Sequence, residues 1–178
     1  MRWSVVAALG ISIVNGSIAL AESPMKHEPV DVYMGLRQRA LNYTADALRV
    51  HDEVFGVVME TGYPKGIATL VSFVDGTTSL YLSTGGGTIG AGNHPGPAEA
   101  SRSLVKLAAL NTQRLAVAAS TPLPQVGYTR FYVLTQRGTL MAEAKEEDLG
   151  EGRNPLSSLF YAAQDVITEI RKVEEAKQ

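Results

Sequence analysis

Apolar positions recur at two different periods along this chain. Leu36, Ala40, Tyr43 and Ala47 fall three and four residues apart, which predicts a helix over Tyr33–Leu48 with a modest apolar face. Thr44 can cap a second short turn, so a break in that helix is expected there. The pattern then changes. Val54–Glu60 (VFGVVME) is a β-branched, apolar run and reads as a buried strand. Gly62–Gly66 is a turn by composition, and Ile67–Val74 and Thr77–Ser83 are the next two strands. Asp75-Gly76 joins them, a pair that favours the positive φ angles of a tight hairpin.

A glycine-rich loop, Thr84–Gly96, precedes a helix expected over 97–119, with Pro97 near its start and Leu104, Leu107, Ala108 and Leu115 on one stripe. Pro122 and Pro124 prevent its continuation. Tyr128–Gln136 and Thr139–Lys145 flank Arg137-Gly138 as a second hairpin, and Glu146–Arg153 reads as an acidic loop. Asn154-Pro155 opens a last helix over 156–175, whose stripe is the clearest in the chain: Leu156, Leu159, Phe160, Ala163, Val166, Ile167, Ile170 and Val173. The order helix-βββ-helix-ββ-helix predicts an α+β fold, a mainly antiparallel five-stranded sheet flanked by helices on one face or both.

Composition narrows the function. The 178 residues carry 16 Lys+Arg and 18 Asp+Glu, a formal charge of −2. That balance fits one globular domain and gives no support to nucleic-acid binding. With no cysteine, disulfides, thiolate catalysis and cysteine metal sites are excluded. His27, His51 and His94 are too scattered for a zinc motif, so neither a metal nor a cofactor is expected.

The first 33 residues bear on compartment. Residues 1–21 (MRWSVVAALGISIVNGSIALA) place Arg2 before an apolar run and end on Ala19-Leu20-Ala21, the three parts of a secretory signal. The run is too short for a stable membrane span, which needs about 20 apolar residues. Cleavage after Ala21 leaves 157 residues, in a periplasmic or extracellular protein. The alternative is a cytoplasmic chain that starts near Met34. Residues 22–32, with two prolines and mixed charge, read as a linker, and 33–178 as the single domain.

The order of elements over residues 33–175 resembles the roadblock and longin group, profilin-like antiparallel sheets flanked by helices. That resemblance implies a dimerising adaptor, in some members a partner of small GTPases. A more specific resemblance is to a family of uncharacterised bacterial proteins. It rests on Gly35-Leu36-Arg37, Val54–Glu60, the hairpin Asp75–Ser83 (DGTTSLYLS), the loop Gly87–His94 (GTIGAGNH), Arg130–Thr135 (RFYVLT) and the helix Leu156–Ile170. It implies no activity.

Few residues suggest chemistry. Gly85-x-Gly87-x-x-Gly90 follows a strand and precedes a helix, the formal pattern of a phosphate cradle. Gly85, Gly86, Gly87, Gly90, Gly92 and His94 are therefore the candidate ligand-binding residues for an anion or nucleotide. Against this, about six residues separate Gly90 from the helix, the setting is hairpins and not βαβ, and no P-loop lysine is present. The competing account is a loop that needs glycine to turn. Ser83, His94 and Asp75 could be drawn as a nucleophile, base and orienter, but no G-x-S-x-G elbow exists. No catalytic residue is assigned. Glu143, Glu146, Glu147, Asp148 and Glu151 lack calcium-loop spacing and read as solvated. Asn42-Tyr43-Thr44 matches a glycosylation sequon on a helical stretch. Among Tyr63, Tyr81, Tyr128, Tyr132 and Tyr161, the candidate interface residues are Tyr63, Tyr81 and Tyr132, since tyrosine buries area while keeping a polar tip. The leading expectation is non-enzymatic protein association, as a homodimer. A small-ligand binder using loop 84–96 is second, and a hydrolase third.

Overall fold

The computed structural model describes Met25 and residues 28–177. The secretory-signal reading of residues 1–21 therefore lies outside the described residues. Among the described residues, five α-helices and seven strands form an open α+β fold. Helices α1 (Asp31–Leu41) and α2 (Ala45–Leu48) come first, with the break at Thr44, whose hydroxyl accepts the Ala47 amide. α1 begins two residues before the expected domain boundary. Strands β1 (Val54–Tyr63), β2 (Gly66–Phe73), β3 (Thr78–Leu82) and β4 (Gly87–Thr88) follow, then α3 (Pro95–Ala109). Next come β5 (Ala116–Val117), β6 (Tyr128–Thr135), β7 (Gly138–Lys145), α4 (Glu146–Gly150) and α5 (Ser157–Glu175).

The sheet order is β4-β3-β2-β1-β6-β7-β5, with every neighbouring pair antiparallel. The five long strands match the expected ones. The count of five is corrected to seven by β4 and β5, two-residue strands that end the sheet on either side. Pieces this short leave no alternation for a sequence reading to detect.

Two further expectations change. The helix over 97–119 ends at Ala109, and a 3₁₀ turn, Thr112–Arg114, leads into extended β5. Leu115 still packs against the same core as Leu104 and Ala108, so it completed a helical stripe from a non-helical segment. The acidic segment from Glu146 is a helix, with Glu146, Glu147 and Asp148 in its first turn, where carboxylates oppose the positive end of the helix dipole.

β1 is buried on both faces, and this sets three layers. Val57, Met59, Phe131 and Val133 face α3 and α5 and meet Leu104, Leu159, Ala163 and Val166. Val58, Val71, Tyr132 and Leu134 face the other way and meet Tyr33, Ala40 and Leu41 of α1. A bulge between Val54 and Gly56 lies beside Phe55, which joins the α1-side core although Val54 joins the α3–α5 side. Between β5 and β6, residues 118–127 form an irregular strap. The Gly127 amide donates to the Gly62 carbonyl at 2.8 Å, and Val126 bridges Gly62 in parallel.

Candidate functional site

The strand register fixes a polar row across the middle of the sheet. Glu60 on β1 stands opposite Thr69 on β2, which stands opposite Tyr81 on β3. On its other side Glu60 faces Arg130 on β6, which faces Glu143 on β7. Residues in one row of an antiparallel sheet share a face, and Glu60 shares its face with Val58 and Tyr132, toward α1. The α1 helix brings Arg37 onto this row from above.

Glu60 is 0% exposed and Arg37 3%. Arg37 Nε donates to Glu60 Oε1 at 2.7 Å and Nη2 to Oε2 at 2.8 Å, a bidentate pair. The same Nη2 donates to the strap carbonyls of Thr121 at 2.8 Å and Pro122 at 3.3 Å. Thr69 Oγ1 donates to Glu60 Oε1 and shares a 2.8 Å bond with the Tyr33 hydroxyl. The Arg37 guanidinium lies 5.9 Å from the Tyr132 ring centre, and the Tyr132 hydroxyl donates to the Pro122 carbonyl at 2.6 Å. Arg130 pairs with Glu143 and donates to the Leu123 carbonyl at 2.9 Å.

Burial alone lowers the Arg37 pKa, but the hydrogen bonds and charge of Glu60 outweigh it and hold the guanidinium above its ordinary value. Burial, reinforced by the Glu60 carboxylate, pushes Tyr33 and Tyr132 up. Among the described residues no buried side-chain polar atom lacks a partner. The cluster joins α1, β1, β2 and the strap. Sequence reasoning assigned no role to Arg37 and Glu60. The available signal was Glu60, a lone charge in the run VFGVVME.

The glycine-rich loop is a hairpin. The Gly85 amide donates to the Leu82 carbonyl and the Leu82 amide to the Gly86 carbonyl, closing β3 onto β4. Gly85, Gly86, Gly87 and Gly90 all have positive φ. Gly92 packs against the β2–β3 turn, where a Cβ would come within 2.2 Å of the Gly76 carbonyl oxygen. His94 precedes α3 and caps no amide with its side chain. The glycines thus serve turns and close approach, and the hairpin stands where a strand-to-helix cradle would require a direct connection.

The structure does not bring Ser83, His94 and Asp75 together. Ser83 is buried beyond the far end of β3, its Oγ accepting the Ile67 amide at 2.7 Å. Asp75 precedes the near end and binds the Thr77 amide and hydroxyl. At about 3.3 Å per residue, the five residues of β3 alone separate them by about 16 Å. Gly92 places the His94 segment at the Gly76 end.

The tyrosines divide. Tyr132 and Tyr81 are buried in the α1-side core, so they pack within the chain rather than on its surface. Tyr63 is 37% exposed and donates to Glu146 Oε1 at 3.1 Å. Burial and the Glu146 carboxylate push its pKa up to about 12 from 10.0. A phenol whose pKa is raised on folding stabilises the fold below pH 10.0 and loses that contribution as pH rises toward 12. Tyr33 and Tyr132 act in the same direction, so stability is expected to fall steadily above pH 10. Tyr63→Phe should flatten that fall, as followed by urea unfolding across the range; an unchanged slope would remove Tyr63 as a contributor.

The acidic run is largely paired. Arg153 meets Asp148 at 2.7 Å and also Glu147 and Glu151, and Glu143 meets Arg130. Asn42 of the sequon lies in the exposed turn between α1 and α2. Among the described residues no three His, Asp or Glu side chains gather to hold a metal, and no helix is long and apolar enough to cross a membrane. A cavity of about 440 Å³ lies beside the α1–α2 turn, lined in part by Tyr43, Asp46, Gln136 and Thr139.

Comparisons with protein-family models, with curated proteins and with solved structures find no match to this chain.

Proposed function

We propose that the domain works by association, as a homodimer joined through β5. The observation that carries this reading is the weakly guarded sheet edge. β5 ends the sheet, and its Val117 is 80% exposed. The segment Leu115–Thr121 (LAVAAST) holds no charged residue and no proline. Sheet edges left open to water normally carry lysine, proline or a bulge that discourages pairing. The opposite edge, β4, is set off by three positive-φ glycines. β5 is guarded only by its length of two residues and carries no lysine, proline or bulge of its own.

A second copy fits this edge by symmetry. Two β5 strands related by a two-fold axis perpendicular to them run antiparallel, so each supplies the same backbone groups to the other. Val117 of each copy then loses water, which adds an apolar contribution to the short ladder. The resemblance to the roadblock and longin group, which implies a dimerising adaptor, motivates the same reading.

Val117→Lys tests it. A lysine on the edge places a charge where the apolar contact forms and should convert the dimer to monomer at high micromolar concentration. Since Val117 is exposed, the monomer should keep its melting temperature. Sedimentation equilibrium of the full chain reads the outcome. A wild-type chain that stays monomeric at those concentrations, or a Val117→Lys dimer of unchanged strength, overturns the proposal.

A further inference from the structure

We infer that the working protein is an exported chain, cut after Ala21, and that a start at Met34 does not produce it. The two N-termini differ in whether residues 22–33 are present, and the fold draws on that stretch. The Val30 amide donates to the Ser83 carbonyl at 2.9 Å, which ties the chain to the end of β3 before α1 begins. Met25 packs against the α1-side core. Asp31, Val32 and Tyr33 are the first three residues of α1, and the Val30 carbonyl accepts the Met34 amide at 3.1 Å.

Tyr33 is the residue that a Met34 start can least lose. It is 2% exposed, and its hydroxyl shares a 2.8 Å bond with Thr69 Oγ1, which in turn donates to Glu60. A chain that starts at Met34 has nothing to fill this space between α1 and β2. Deleting a buried aromatic side chain costs its transfer from water and the void left behind. The same start exchanges Asp31 for a positive terminal amine in the first turn of α1, where the helix dipole is already positive.

Cleavage after Ala21 removes none of these residues. Glu22, Ser23 and Pro24 alone lie between the cut and Met25, so the signal ends just ahead of the first packed residue. A start at Met25 keeps the contacts too. It leaves the basic residue, apolar run and small-x-small ending of residues 1–21 outside the protein, with no account of their order. Export bears on association without depending on it. Outside the cytoplasm the chain does not meet small GTPases, the partners implied for some roadblock-like proteins. What it binds is then a second copy or another exported molecule.

The full chain, expressed from its gene in the native host, tests this through its intact mass and N-terminal residue. Expected is a chain that begins at Glu22, in the fraction outside the cytoplasm. Met25→Leu and Met34→Leu remove the internal starts and keep apolar side chains, so the product and its amount should not change. Ala19→Arg puts a large charged residue in the small-x-small site and should leave residues 1–21 attached. A product that begins at Met25 or Met34 and is lost in the matching leucine variant overturns the inference, as does a wild-type chain that keeps Met1. Tyr33→Ala in the full chain reads the structural premise: its melting temperature should fall by about 10 °C. Wild-type melting there would show that α1 does without its first turn, and would overturn the exclusion of a Met34 start.

Discussion

Glu60→Ala is expected to destabilise the fold by about 3–5 kcal/mol, the range for removing one partner of a buried ion pair. The reason is what remains. Arg37 stays buried at the centre of the α1-side core with its charge uncompensated, and Thr69 loses an acceptor. Since domains are stable by about 5–15 kcal/mol in all, the loss is a large share of the total. The pair itself need not contribute that much. Two charges taken out of water cost several kcal/mol each, and their attraction only roughly offsets this. The double variant Arg37→Met, Glu60→Leu should therefore recover most of the loss. Urea denaturation at neutral pH distinguishes the cases. A double variant as unstable as Glu60→Ala would show that the cluster adds stability beyond the mutual neutralisation of its charges. A stable double variant in which the Ala118 and Gly127 amides, bonded to the Thr139 and Gly62 carbonyls, exchange quickly would show that these charges serve placement of the strap.

That division between stability and placement explains what was legible in the sequence. The five long strands, the break at Thr44, both hairpins and α5 follow from periodicity and turn chemistry, which act over a few residues. Three features were not legible, for one shared physical reason. β4 and β5 are strands only because β3 and β7 offer them a free edge, and nothing in Gly87-Thr88 or Ala116-Val117 alone demands extension. Leu115 kept helical spacing while lying outside the helix, because the core accepts an apolar side chain from either conformation. The Arg37–Glu60 pair spans 23 residues and three elements, so no local pattern joins its members. Tyr132 illustrates the same limit at a candidate site. Its place on a strand suggested an interface, but its burial is decided by α1, which lies far from it in sequence, and by the strap that precedes β6.

Gly92→Ala is expected to cost about 2–3 kcal/mol, in the range where a close backbone contact must yield. Gly92 does not need the left-handed region; it needs space. An added Cβ would come within 2.2 Å of the Gly76 oxygen and 3.0 Å of the Thr78 nitrogen, both backbone atoms that no rotamer change can move. Either the β2–β3 turn or the start of α3 must shift, and each is anchored: Thr78 bonds Ser101 of α3 and the Gly76 carbonyl. Gly85 is the complementary case. It has φ +97 and nothing within 4 Å, so alanine there meets only backbone strain, about 1–2 kcal/mol. Urea unfolding of both variants separates space from strain. Anion binding is read separately, as a loss of affinity for phosphate or a nucleotide in Gly85→Ala, where the added Cβ meets no neighbour. A loop whose glycines serve packing loses stability first. Wild-type stability in Gly92→Ala would show that close approach is not what demands glycine there.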